Sequence, residues 1–186
     1  MSEVILTASI VGLDAHRVHV EADISPGLGA FIVVGLPDAA VQEARERVRS
    51  ALKQSSCAFP RTRIAVNLAP ADVRKSGTLF DLAMALAILR AQGDVPGSST
   101  TSTMVVGELG LDGSVRPIHG VLAIAALAKR EGIEELIVPA ANAAEASLMG
   151  APLKILRART LSEVIDHLVG RALLPEEPWQ TPALVR

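Results

Sequence analysis

The chain has 186 residues, 49% of them hydrophobic, a formal net charge of −2 and one cysteine, Cys57. That length supports one core-bearing domain or two small ones. The near-neutral charge excludes a global field drawing the chain to nucleic acid or membrane, and the lone cysteine excludes an intrachain disulfide or a CxxC metal site. No apolar run approaches the ~20 residues of a membrane span. The opening MSEVILTASIVG lacks a basic n-region and carries Glu3, so it does not read as a signal peptide; together with the cysteine usage this sets a cytoplasmic expectation. Aromatics make up only 2%. Phe31 and Phe80 lie inside apolar runs, which argues against a base-stacking platform.

In chain order, the first 35 residues read as strands. In HRVHVEADIS, Val18, Val20, Ala22 and Ile24 alternate with His19, Glu21 and Asp23, the period of a half-buried strand. GAFIVVG is a continuous apolar run between glycines and reads as a strand buried on both faces. One helix follows from Pro37 and Asp38, with Val41, Ala44, Val48 and Leu52 as its apolar stripe. TRIAVNLA returns to strand, and Asp81–Gln92 is a second helix. GDVPGSSTTST is a polar loop, and MVVGELGLDGSVRPI is strand, Asp112–Gly113 turn, strand. A helix from about Val121 to Glu131, the strand ELIVP, a short Ala-rich helix, the strand LKILRA and a helix near Leu161–Val169 complete the pattern. Strands alternating with helices give an α/β or α+β domain over 1–170. Residues 171–186, Pro-rich and aperiodic, read as a linker.

The turn Lys75–Ser76–Gly77 opens a helix, where phosphates are cradled in other proteins. Neither G-x-x-x-x-G-K-[ST] nor G-x-G-x-x-G occurs. Thr78 and Asp81 fit a capping box instead, whose carboxylate would oppose an anion. His16 and His19 differ by an odd number on a strand and should face opposite ways; His119 and His167 lack partners, so no metal is expected. Between Asp38 and Lys75 lie eight bases against four acids. Arg45, Arg49 and Lys53 form an i, i+4, i+8 stripe, Arg61 and Arg63 share a strand's polar face, and Arg74 and Lys75 follow. A solvated helix with Glu43–Arg47 and Glu46–Arg49 pairs competes with a surface for DNA phosphates or an acidic neighbouring subunit.

GLPDAAVQEARERVRSAL, FPRTRIAVNLAPADVRKSGTLFDLAMALAIL and GELGLDGSVRPIHGVLAIAALA together resemble the N-terminal domain of the magnesium-chelatase-like ComM/YifB proteins, over roughly Glu3 to Val169. The resemblance implies an α+β fold similar to ribosomal protein S5 domain 2 and to the proteolytic domain of Lon. It also implies a following AAA+ module, absent here, which would bind ATP and Mg2+, so that the chain looks like an excised N-terminal piece. Family members resemble hexameric, ATP-driven DNA helicases. The expected partners are therefore the chain's own AAA+ module, neighbouring subunits in a hexamer and DNA, but no membrane. Laid on the Lon motifs, Leu79 falls at the nucleophile position and Leu122 at the lysine position. A Ser–Lys dyad needs an amine in reach of a hydroxyl, so the resemblance implies a domain without catalysis and without a cofactor of its own. A purely structural oligomerisation domain and a residual hydrolase using Ser76 are the alternatives.

Overall fold

The computed structural model describes residues 4–97 and 102–179. It is an α+β arrangement around a seven-stranded mixed sheet, ordered β3 (Ala30–Val34), β4 (Arg63–Ala69), β2 (Asp14–Ser25), β1 (Ile5–Val11), β5 (Thr103–Val105), β8 (Glu135–Pro139), β9 (Lys154–Ala158). Strand β1 (Ile5–Val11) turns at Gly12, φ +64°, into the antiparallel β2 (Asp14–Ser25). Ile5 to Ser9 are all buried, because β1 lies at the middle of the sheet with both faces covered. In β2, Val18 and Val20 are buried, while His19 and Glu21 on the other face are half-exposed, as the alternation predicts. Strand β4 (Arg63–Ala69) pairs antiparallel with β2, and β3 (Ala30–Val34) pairs parallel with β4 at the sheet's end.

That edge position corrects the expectation for GAFIVVG. Val33 is buried, but Ile32 and Val34 stand 38% and 46% exposed on the outer face. An apolar run cannot distinguish a doubly covered strand from an edge strand, since strand order is a non-local property. Just beyond β3, Gly35 sits at φ +105°, and a Cβ there would overlap the Leu68 carbonyl. Gly35→Ala combines steric overlap with a backbone conformation alien to L-residues, so a loss of roughly 1–3 kcal/mol is expected in urea unfolding.

The single helix expected from Pro37 is broken at Glu43 into α1 (Ala39–Gln42) and α2 (Ala44–Gln54). Asp38 caps α1 by accepting from the Val41 amide at 3.0 Å. On α2, Ala44, Val48, Ala51 and Leu52 face inward. Helix α3 (Asp81–Gln92) is buried from Asp81 through Leu89 and lies across β1, β2 and β4. An all-round apolar helix belongs in the middle of a domain, and Gly93 at φ +85° ends it.

Strand β5 (Thr103–Val105) joins the sheet parallel to β1, and the chain leaves the sheet at Gly107 to form the small hairpin of β6 (Glu108–Leu109) and β7 (Val115–Arg116). The turn between them is the Asp112–Gly113 region, with Gly113 at φ +83°. Helix α4 (Val121–Arg130) follows, then β8 (Glu135–Pro139), α5 (Ala143–Ser147), β9 (Lys154–Ala158) and α6 (Leu161–Leu168). Thr160 caps α6 by accepting from the Glu163 amide at 3.2 Å. Thr160→Ala is therefore expected to cost about 1 kcal/mol in thermal unfolding.

The first part of the expected linker is docked on the domain. Arg157 N donates to Pro175 O at 3.0 Å and Glu177 N to Ile155 O at 2.8 Å. Arg157 and Glu177 also form an ion pair at 3.0 Å, and Leu174 is buried. The chain thus lays an extended segment along β9, while among the described residues no strand pairs with the opposite edge of β3. Residues 98–101 of the polar loop and 180–186 of the tail lie outside the described residues. Among the described residues, no helix is long and apolar enough to cross a membrane.

Candidate nucleic-acid interface: a basic groove

Four of the seven predicted basic contacts meet in one place. Arg45, Arg49 and Lys53 descend one wall, formed by α2, of a groove of about 590 Å³. The other wall is Gly29–Phe31 together with the segment 57–62, which contributes Cys57, Phe59 and Arg61. Among the described residues, no acidic side chain lines it. Gly29 is required at this wall, since a Cβ there would stand 2.9 Å from the Arg61 carbonyl. The helical stripe sets successive cations about 6 Å apart, comparable with the step between neighbouring phosphates of one nucleic-acid strand.

Inside the groove, the Phe31 and Phe59 rings stack with centroids 6.3 Å apart and an 18° interplanar angle. The Arg49 guanidinium carbon lies 5.8 Å from the Phe59 centroid, a cation–π contact. Phe31 borders the groove with Phe59, both half-buried and packed against the core, whereas Phe80 is fully buried. The Arg45 Nε is buried with no hydrogen-bond acceptor, its nearest carboxylate oxygen being Glu46 Oε1 at 3.9 Å. Burial pushes the Cys57 thiol up, so the groove's thiol is protonated at neutral pH.

The other predicted residues lie elsewhere. Arg63 and Arg74 are exposed but do not border the groove. Lys75 is fully buried, its Nζ donating to the Pro70 carbonyl, and burial pulls its pKa down. It cannot serve as a surface contact for DNA. Ser76 gains no base from it, because the Lys75 amine is held by Pro70. The Gly77 amide of the same turn donates to Asp38 Oδ2 at 3.1 Å, so a carboxylate already occupies the position a phosphate would take.

The capping box is also corrected. Thr78 Oγ1 donates to Glu108 Oε2 and makes no cap, and the N-cap of α3 is Phe80. Asp81 turns inward to Arg47, accepting from Nε at 2.6 Å and Nη2 at 3.1 Å, and it accepts from the Leu109 amide at 3.2 Å. Arg47 therefore pairs with Asp81 rather than Glu43, and Glu46 approaches Arg45 rather than Arg49. The Asp81 hydrogen bond raises the Arg47 pKa. Burial pushes Asp81 up to about 6, even against the guanidinium. This pair joins α2, α3 and the β6–β7 hairpin, and sequence reasoning assigned it no role. Its signals were present: Arg47 sits between Ala44 and Ala51 on the apolar side of α2, and Asp81 is the one acid in α3, at the head of its apolar run.

Leu79 is buried, and its carbonyl accepts from the Gly107 amide at 3.1 Å, whereas Leu122 is 38% exposed on the first turn of α4. His16 and His19, expected to diverge, both border a shallow cavity of about 400 Å³ beside Arg17 and Glu131. Arg17 and Glu131 are ion-paired there at 3.2 Å. Among the described residues, no three His, Cys, Asp or Glu side chains are grouped to hold a metal.

Comparison with known proteins places this geometry in a family. The profile described as "Subunit ChlI of Mg-chelatase" matches residues 20–142. The chain is 40% identical over 172 residues to "Competence protein ComM" of Haemophilus influenzae, covering 92% of this chain and 33% of that protein. It is 37% identical over 183 residues to "Uncharacterized protein YifB" of Escherichia coli, covering 98% of this chain and 36% of that protein. A more distant relative is "Lon protease 1" of Sorangium cellulosum, 29% identical over 162 residues, 83% of this chain and 20% of that protein. The Lon likeness agrees with the mixed sheet and its flanking helices. The chain spans about a third of the length of the ComM and YifB relatives. It belongs to the Mg-chelatase ChlI-like family that includes ComM and YifB.

Proposed function

We propose that this chain is a non-catalytic, cytoplasmic N-terminal domain of an AAA+ ATPase that processes DNA, and that it contacts DNA phosphates through the basic groove. The observation that carries this reading is the convergence of Arg45, Arg49, Lys53 and Arg61 on one concavity that no acidic side chain lines among the described residues, Glu46 approaching Arg45 alone at 3.9 Å. Cations so placed gain most from a polyanion, because each phosphate neutralised releases counterions. The ATPase activity, with its ATP and Mg2+, belongs to a module outside this chain. The aliphatic Leu79 and Leu122 and the tethered Lys75 amine support a domain that does no chemistry of its own.

The test is fluorescence anisotropy of labelled DNA against the chain across a salt series. Affinity is expected to fall steeply with salt, and salt-independent or absent binding contradicts the reading. In the same preparation, ATP is expected to leave the melting temperature unchanged. A second reading, packing against neighbouring subunits alone, is favoured by the β3 edge, unpaired among the described residues, with Ile32, Val34 and Leu36 exposed. Sedimentation with and without DNA separates the two: self-association indifferent to DNA favours packing.

A further inference from the structure

We infer that the groove takes single-stranded nucleic acid, with phosphates on the α2 cations and a base stacked on the ladder formed by Phe31, Phe59 and Arg49. This inference rests on the phosphate-contact reading above and narrows it to one ligand class.

Three features point the same way. First, Phe31 and Phe59, half-buried against the core, stand stacked at the groove wall, and the Arg49 guanidinium lies over the Phe59 ring. Exposed faces of Phe and Arg are the surfaces on which unpaired bases stack, without regard to base identity. Second, the groove's 590 Å³ suits one or two nucleotides of a single strand. A duplex keeps its bases in its own stack and would meet this concavity only with its backbone. Third, the polar atoms are arranged for a strand running along α2. Arg45, Arg49 and Lys53 follow one line, and Arg61 closes the opposite wall. The rest of the lining is Gly29, Ala30, Cys57, Ala58, Pro60 and Thr62, so the Thr62 hydroxyl is the one neutral side-chain oxygen there and the groove is poor in groups that read base edges. Stacking and phosphate contact, which are tolerant of sequence, would therefore dominate recognition.

The experiment measures binding of the 186-residue chain to four labelled probes at low and moderate salt. They are an oligothymidylate, an abasic strand of equal length and charge, a duplex and a polyglutamate peptide. The expected result is binding of oligothymidylate at least about fivefold tighter than the abasic strand, with both falling as salt rises. Phe59→Leu, which keeps an apolar side chain, and Arg49→Lys, which keeps the charge but loses the plane, are each expected to bring the two strands close to parity. Thermal melts check that both variants fold. Equal binding of the two strands by the unsubstituted chain overturns the stacking inference and leaves phosphate contact standing, as does a preference that survives both substitutions. Salt-dependent binding to neither strand overturns the broader reading as well. Preference for polyglutamate over both strands assigns the groove to an acidic protein partner and overturns the inference.

Discussion

Arg47→Ala is expected to lower the unfolding free energy by about 3–5 kcal/mol near neutral pH. The substitution strands the Asp81 carboxylate, which is fully buried and, among the described residues, is otherwise held by the Leu109 amide. Asp81 has a folded pKa of about 6, above the ordinary carboxylate value because burial disfavours its charge. Its titration therefore contributes stability that is fully present below the unfolded value and lost as pH rises through about 6. Without the guanidinium that holds it down, the carboxyl's pKa rises further, and the loss moves to higher pH. The deficit of Arg47→Ala relative to the unsubstituted chain should accordingly shrink when urea unfolding is repeated near pH 5, where Asp81 takes up a proton. A deficit that grew on acidification would contradict the ion-pair account. Pairing Arg47→Met with Asp81→Leu removes both charges and should recover most of the loss.

Triple substitution of Arg45, Arg49 and Lys53 by alanine is expected to weaken single-strand binding sharply and flatten its salt dependence. Each phosphate contact on a single strand contributes about 0.7 to the slope of log affinity against log salt, so losing three should reduce the slope by roughly 2. The same substitutions should leave the melting temperature nearly unchanged, because none of the three side chains lies in the core. Arg63 and Arg74 provide the internal comparison. Both are exposed and outside the groove, and alanine at either is expected to shift the slope little. An unaltered slope in the triple variant would move the phosphate contact away from α2.

What the sequence disclosed, and what it hid, divides along the range of the interaction. The alternation of Val18 and Val20 with His19 and Glu21, the apolar helix after Phe80 and the Asp112–Gly113 turn are local patterns, and each appears where expected. Strand order is not local, so the apolar run Phe31–Val34, whose pattern reads as a strand buried on both faces, lies instead at an edge. The basic stripe on α2 was legible from i, i+4 spacing alone. Its opposite wall was not, because Phe59 and Arg61 arrive from a loop after α2, and Phe31 from a strand before it. Lys75 illustrates the same limit. A lysine beside a glycine turn looks solvent-facing, and only the fold around it brings the Pro70 carbonyl to its amine. Arg47 and Asp81 are 34 positions apart, so neither local pairing rules nor capping rules could join them.

Backbone and side-chain NMR of the labelled chain, titrated with an oligothymidylate, tests most directly whether the groove is where the polyanion binds. The predicted outcome is that shifts concentrate at Arg45, Arg49, Lys53, Phe59 and Arg61 and saturate together. Shifts confined to the outer face of β3 around Ile32 and Val34, or no shifts at all, would contradict it.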